Sequence, residues 1–154
     1  MAKIRKAPGS ARTAAKLKRV AAGLPKANYV ALSDFRFALR RFLAFSESAA
    51  KQAGLTPQQH QALLTIKGAQ DAESVSIRLL AERLLINHNT AVELVDRLVA
   101  AGLVERSRDA EDRRRARLEL TAIAERRLQS LSAAHLKELQ TVRPALMNLL
   151  KQLD

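Results

Sequence analysis

Ile77-Arg78-Leu79-Leu80-Ala81-Glu82-Arg83-Leu84, then Leu85-Ile86, then Asn87-His88-Asn89-Thr90-Ala91-Val92-Glu93-Leu94-Val95-Asp96-Arg97-Leu98 is the stretch on which the fold turns. Ile77, Leu80, Ala81 and Leu84 stand at i, i+3, i+4 and i+7, one stripe of an amphipathic helix, and Ser76 before them can cap it. Asn87 can cap a second helix, whose apolar side is Ala91, Leu94, Val95 and Leu98. Gly102 stands where a glycine ends such a helix. Two short helices separated by a few residues read as a helix-turn-helix, although helical bundles also contain such pairs.

The next residues narrow the choice. Leu103-Val104-Glu105-Arg106 and Ala116-Arg117-Leu118-Glu119-Leu120 suit short strands, and the second alternates apolar with charged. A polar loop, Ser107 to Arg115, lies between them. A helix-turn-helix followed by a charged hairpin is a winged helix. Downstream, Thr121 can cap a long helix from Ala122 to about Val142, and Pro144 can open a last short helix carrying Leu146, Leu149, Leu150 and Leu153. Upstream, Leu32, Phe35, Leu39, Phe42 and Leu43 recur at helical spacing between about Val30 and Ala53, and Gly54 closes that helix. Thr56-Pro57-Gln58-Gln59 combines a cap, a first-turn proline and a capping-box glutamine; Ala62, Leu63 and Ile66 follow as a buried stripe as far as Gly68. A polar loop, Gln70 to Ser74, follows. The fold class is mostly α with a small β-hairpin, a winged helix-turn-helix flanked by long helices. Residues 28–154 form one domain, with 55–121 as its winged helix and 28–54 and 122–154 as flanking helices, preceded by a basic tail over 1–27.

Charge says what kind of partner to expect. Among 154 residues, 27 are Lys or Arg and 15 are Asp or Glu, a net charge of +12. Eight of the basic residues (Lys3, Arg5, Lys6, Arg12, Lys16, Lys18, Arg19 and Lys26) precede Asn28 with no acid among them. Such a block is either a solvated tail or an arm that follows phosphates, and the excess points to an anionic partner. Cysteine is absent, which excludes a thiol nucleophile, a thiolate metal site and a cysteine redox switch. His60, His88 and His135 are too widely spaced for a metal site built from neighbours in sequence, so no metal and no cofactor is expected. His60 and His135 read as surface or hydrogen-bond-satisfied residues. Aromatics at 3% do not make a base-stacking platform. No Ser/His/Asp arrangement, paired carboxylates or phosphate-cradling glycine loop appears, so there are no catalytic residues and the chain is not read as an enzyme. No apolar run reaches the length of a membrane span.

The second helix of the pair turns Asn89, Glu93, Asp96, Arg97 and Ala100 away from its apolar stripe, with His88 near its start. Residues at that end of a recognition helix reach base edges in the major groove. Asn can pair with adenine and Glu can accept from the cytosine amino group. The hairpin region holds six arginines, Arg106, Arg108, Arg113, Arg114, Arg115 and Arg117. Arginine there suits the negative potential of a narrow minor groove, and Asp112 can hold one guanidinium in position. Both features would also suit a merely solvated helix face and a charged turn. The candidate DNA-binding residues are Ser76, Asn87, His88, Asn89, Thr90, Glu93, Arg97, Arg108, Asp112, Arg113 and Arg114.

These segments resemble a known family. Leu103-Val104-Glu105-Arg106, Asp109-Ala110-Glu111-Asp112-Arg113-Arg114 and Leu118-Glu119-Leu120-Thr121 look like the wing of MarR-type transcriptional regulators. Leu80-Ala81-Glu82-Arg83-Leu84 and Leu94-Val95-Asp96-Arg97-Leu98 are similar to that family's helix pair. The resemblance implies a homodimer built from the flanking helices, bound to a pseudo-palindromic duplex operator. Asn87, His88, Asn89 and Thr90 would open the recognition helix; Asp112 and Arg114 would form the wing pair, with Arg114 in the minor groove. It departs from the family midway along that helix, where Val92 and Glu93 replace small polar or basic residues. It further implies a repressor released by a small aromatic or phenolic effector, in a cleft whose nearest polar groups are Arg36, Arg40 and His60, and a cytoplasmic, nucleoid-associated place in a prokaryote. The leucines of the last helices agree, since a chain of this size has little reason to carry them uncovered. The competing readings are a low-specificity architectural DNA binder using the tail, and a small helical enzyme that holds an anionic substrate with arginines.

Overall fold

Helix starts in this chain are set by side chains that take up the loose backbone donors of the first turn. The computed structural model describes residues 23–69, 75–108 and 116–152. Helices α1 (Lys26–Gln52), α2 (Pro57–Gly68), α3 (Ile77–Leu84) and α4 (His88–Ala100) lead into an antiparallel pair, β1 (Val104–Arg108) and β2 (Ala116–Leu120), and α5 (Ala122–Lys151) follows. Thr56 closes a full capping box on α2: its hydroxyl accepts from the Gln59 N–H at 3.1 Å, while the Gln59 side chain accepts from the Thr56 N–H at 2.9 Å. The Ser76 hydroxyl accepts from the Leu79 N–H at 3.2 Å and the Asn87 Oδ1 from the Thr90 N–H at 2.8 Å. Each such cap stabilises its helix by roughly 1 kcal/mol. Gly54 and Gly102 follow α1 and α4 with φ of +72° and +65°, a conformation open to glycine at little cost.

The chain divides into two compact units, one made of the described residues up to Arg40 and from Val142 onward, the other running from Arg41 to Thr141. The second unit holds the main core. Leu63 and Ile66 of α2, Leu80 of α3, Leu94, Val95 and Leu98 of α4, Val104 of β1, Leu118 of β2 and Leu128 and Leu131 of α5 are buried together. Burying each leucine side chain stabilises the fold by about 1.5–3 kcal/mol. The strand register sets Val104 opposite Leu120 and Arg106 opposite Leu118. Thr121 joins hairpin to helix: its hydroxyl donates to the Gly102 carbonyl at 2.8 Å and accepts from the Ala124 N–H at 3.3 Å. In the first unit Ala31 and Val142 are buried, whereas Tyr29, Leu32, Phe37, Leu39, Leu146, Met147 and Leu150 are exposed.

One expectation is overturned. No separate helix starts at Pro144; α5 runs through it to Lys151. A helix-interior proline removes one hydrogen bond and costs about 3 kcal/mol. Here Gln140 and Pro144 are both exposed, so water can serve the carbonyl that loses its donor, and the apolar spacing continues unbroken through Val142, Leu146 and Leu149. Among the described residues no helix is long and apolar enough to cross a membrane. Residues 1–22 of the tail, the loop over 70–74, and Asp112, Arg113 and Arg114 lie outside the described residues, as does the side chain of Arg108, while the tail's last two residues, Lys26 and Ala27, belong to α1.

Candidate nucleic-acid interface

Helix α4 is seated by its apolar side. Ala91, Leu94, Val95 and Leu98 are each 1% exposed or less, so the helix cannot roll without opening the core. That fixes which residues face outward: His88, Asn89, Glu93, Asp96 and Arg97 are exposed, Thr90 is half-buried, and Val92 is half-buried beside the stripe. The first turn contains no acidic residue, so the positive end of the helix dipole is uncompensated and suits an anion. Asn87 spends its carbonyl oxygen on the cap, and its amide NH2 remains a donor. The Ser76 oxygen is likewise committed to capping α3, leaving its hydroxyl hydrogen to donate outward.

The connection before α4 is held by backbone. Leu85 has φ of +54°, and the N–H groups of Leu85 and Ile86 donate to the carbonyls of Glu82 and Ala81 at 3.2 Å and 3.0 Å. This is a Schellman closure with a leucine in the position usually held by glycine. Its side chain is 92% exposed, so nothing packs it there.

A residue that the candidate set omits ties the hairpin to the helix. Val104 and Leu118 face the core, and the same face of β1 continues outward through Arg106. The Arg106 guanidinium donates to the Asp96 carboxylate on α4 at 2.6 Å. Asp96 therefore neutralises a hairpin arginine and braces the strand against the helix; period-2 alternation extended by one step from Val104 would have placed Arg106 there. On the opposite face Glu105 pairs across from Glu119, a like-charge pair that Arg117 relieves at 3.0 Å from Glu119. The ion pairs are solvent-exposed and contribute at most about 1 kcal/mol each; geometry is their main contribution.

The effector candidates divide between the units. Arg36 and Arg40 are exposed on the part of α1 in the first unit. His60 lies in the second, and it is not a surface or satisfied residue: it is 3% exposed and its Nδ1 has no hydrogen-bond partner among the described residues. Burial, and then the charge of His135, hold its pKa below the ordinary 6.5. Two surface grooves flank α2, one of about 420 Å³ lined by Leu64, Lys67, Gly68, Glu125, Leu128, Gln129 and Ser132, the other of about 230 Å³ bordered by Leu79 and Arg83.

Residues 53–115, which span α2 to the hairpin loop, match the model of the MarR family. The match covers the winged-helix part of the chain. Solved MarR-type structures share the architecture. A mutant of MepR from Staphylococcus aureus, bound to an oligodeoxyribonucleotide, superposes with a TM-score of 0.63 at 20% identity, over 78% of this chain and 95% of that one. CouR from Rhodococcus jostii, bound to p-coumaroyl-CoA, gives a TM-score of 0.56 at 26% identity, over 64% of this chain and 67% of its own. BpsR from Bordetella bronchiseptica, whose DNA binding is regulated by 6-hydroxynicotinic acid, gives 0.56 at 22% identity, over 77% and 88%. No functionally curated protein matches the chain.

Proposed function

We propose that this MarR-type protein is a homodimeric, sequence-specific regulator of transcription that represses by occupying a pseudo-palindromic duplex site. The observation that carries the reading is the seating of α4. Four buried apolar residues and the Asp96–Arg106 bridge hold an acid-free helix start outward, so that Asn87, His88, Asn89 and Thr90 lead into a major groove. Glu93 and Arg97, further along the exposed side, then reach bases or phosphates, and Ser76 donates to a phosphate. Arg108, Arg113 and Arg114, with Asp112 as the holder of Arg114, supply the minor-groove contacts. The surplus of exposed over buried large apolar residues in the first unit supports dimerisation: Tyr29, Phe37, Leu146 and Met147 are uncovered, and a second copy is the covering that a soluble regulator would use.

Two structural relatives, one bound to p-coumaroyl-CoA and one whose DNA binding is regulated by 6-hydroxynicotinic acid, support an aromatic-acid effector. Arg36 and Arg40 are the cations available to its carboxylate or phosphate groups. The second reading, an architectural DNA binder of low specificity, draws on the +12 charge, because phosphate neutralisation ignores sequence. Selection of bound duplexes from a random pool at about 150 mM salt separates the two, since non-specific contacts are weakened there. An enriched inverted repeat with half-sites one helical turn apart is expected. Binding without an enriched motif that vanishes as salt rises would replace the regulator by the architectural protein.

A further inference from the structure

Helices α1, α2 and α5 meet at two histidines that lie far apart in the chain. The rings of His60 on α2 and His135 on α5 are 4.6 Å apart, tilted by 44°. Phe42 and Phe45 of α1 present their rings edge-on to His135 at 5.8 Å and 5.4 Å, walling the pair with apolar surface. The hydrogen bonds of His135 define its proton. Its Nδ1 lies 2.7 Å from the Leu131 carbonyl, which can only accept, so Nδ1 carries the hydrogen and Nε2 accepts from the Ser46 hydroxyl at 2.8 Å. A second proton on His135 breaks neither contact, because the Ser46 hydroxyl can turn from donor to acceptor. His60 has no such arrangement. Its buried Nδ1 has no partner among the described residues, and a charge there would lie against the charge of His135 in a buried site.

Among the described residues no carboxylate is hydrogen-bonded to either ring. The charged residues nearest in sequence on the packed helices are Arg41, Glu47 and Lys51 on α1 and Arg127, Lys137 and Glu138 on α5; all are exposed except Glu138, which is half-buried and accepts from the Thr141 hydroxyl. Lys67 on α2 is paired with Glu125 of α5 at 2.6 Å. The neighbours of His60 within α2 are Gln59, engaged in the cap, and exposed Gln61. Nor does a third metal-ligating side chain join the two rings among the described residues, so a shared metal does not account for them.

We propose that His60 and His135 form an acid-released latch between α2 and α5, packed while at least one ring is neutral and parted when both carry protons. Ala62, Leu63 and Ile66 of α2 belong to the same buried cluster as Leu94, Val95 and Leu98 of α4, so parting the latch loosens the core on which α4 sits. Acid then lowers duplex affinity, a consequence that rests on the DNA-binding reading above. The direction follows from linkage. An unfolded chain protonates its histidines near 6.5, whereas His60 is held neutral to lower pH by burial and by the charge of His135. The folded state therefore loses ground as pH falls through 6.5 toward the lowered folded value, and regains it above 6.5.

The experiment uses the full chain, its His60→Phe variant and its His135→Phe variant, between pH 8 and pH 5. Urea unfolding, ring-proton NMR titration and duplex binding by fluorescence anisotropy are read in parallel. Below about pH 6.5, the folding constant of the unmodified chain should fall relative to His60→Phe by up to tenfold per pH unit, the limit for one proton. Its duplex affinity should fall with it, while that of His60→Phe stays level relative to it. In His135→Phe, the His60 ring should titrate at higher pH than in the unmodified chain, since the repelling charge is gone. Equal pH dependence of folding in the unmodified chain and His60→Phe would overturn the latch. So would an unmoved His60 titration in His135→Phe, which decides the matter if His60→Phe does not fold. Failure of all three proteins to bind duplex at pH 7.5 would instead count against the DNA-binding reading, and the unfolding and NMR data would still judge the latch.

Discussion

Replacing Leu85 by glycine should make the protein more stable. Leu85 holds φ of +54° at the end of α3, where an L side chain crowds its own carbonyl at a cost of about 1–2 kcal/mol. Its side chain is 92% exposed, so truncation gives up almost no buried apolar surface. The offset is the extra freedom of glycine in the unfolded chain, roughly 0.5–1 kcal/mol. The difference leaves Leu85→Gly more stable by about 0.5–1 kcal/mol, or a rise in Tm of roughly 1–4 °C for a chain of this length. Leu85→Ala is the matched control: it removes the same exposed atoms and keeps the Cβ, so its stability should stay within about 0.5 kcal/mol of the parent. Urea unfolding followed by circular dichroism measures both, with an unchanged slope showing that the native fold is kept. A glycine variant no more stable than the alanine variant would refute the reasoning. It would mean that the turn is not strained, or that the leucine is covered by something the single chain does not contain.

Other variants test the seat of α4, the hairpin and the tail. Leu94→Ala should cost about 2–5 kcal/mol in unfolding experiments, because it opens a cavity under α4, whereas Glu93→Gln, one residue away and exposed, should leave stability within about 0.5 kcal/mol and alter only the base preference of duplex binding. Asp96→Ala should cost at most about 1 kcal/mol, since the bridge to Arg106 is exposed, yet weaken duplex binding by freeing the hairpin from the helix; unchanged affinity would remove the bracing role. Arg114→Ala should weaken operator binding without unfolding the chain, and removal of residues 1–27 should flatten the salt dependence of binding if that tail touches phosphates, both read by anisotropy across a salt series.

The parts of the fold that could be read from the chain are those governed by neighbours within about four residues. The capping box of Thr56 and Gln59, the caps at Ser76 and Asn87, the glycines at Gly54 and Gly102, and the apolar stripe of α4 all follow from helix geometry alone. The hairpin was legible for the same reason, through alternation at Leu118 and Leu120. Pro144 is the exception: a proline suits a helix start, which points to a separate last helix, whereas the apolar periodicity carries α5 through it.

Periodicity says that a side chain faces inward, and it is silent on what it meets there. Arg106 and Asp96 come together across β1 and α4, a relation set by how the hairpin docks on the core. His60 and His135 meet because α2 and α5 come together at these two rings, with Phe42 and Phe45 against His135; in sequence they are lone histidines. The sequence by itself determined a winged helix, its outward residues and its charge, since those depend on local geometry and composition. Only the tertiary structure decided which charges are braced and which histidine is starved of a partner, since both depend on the faces that distant segments turn toward each other.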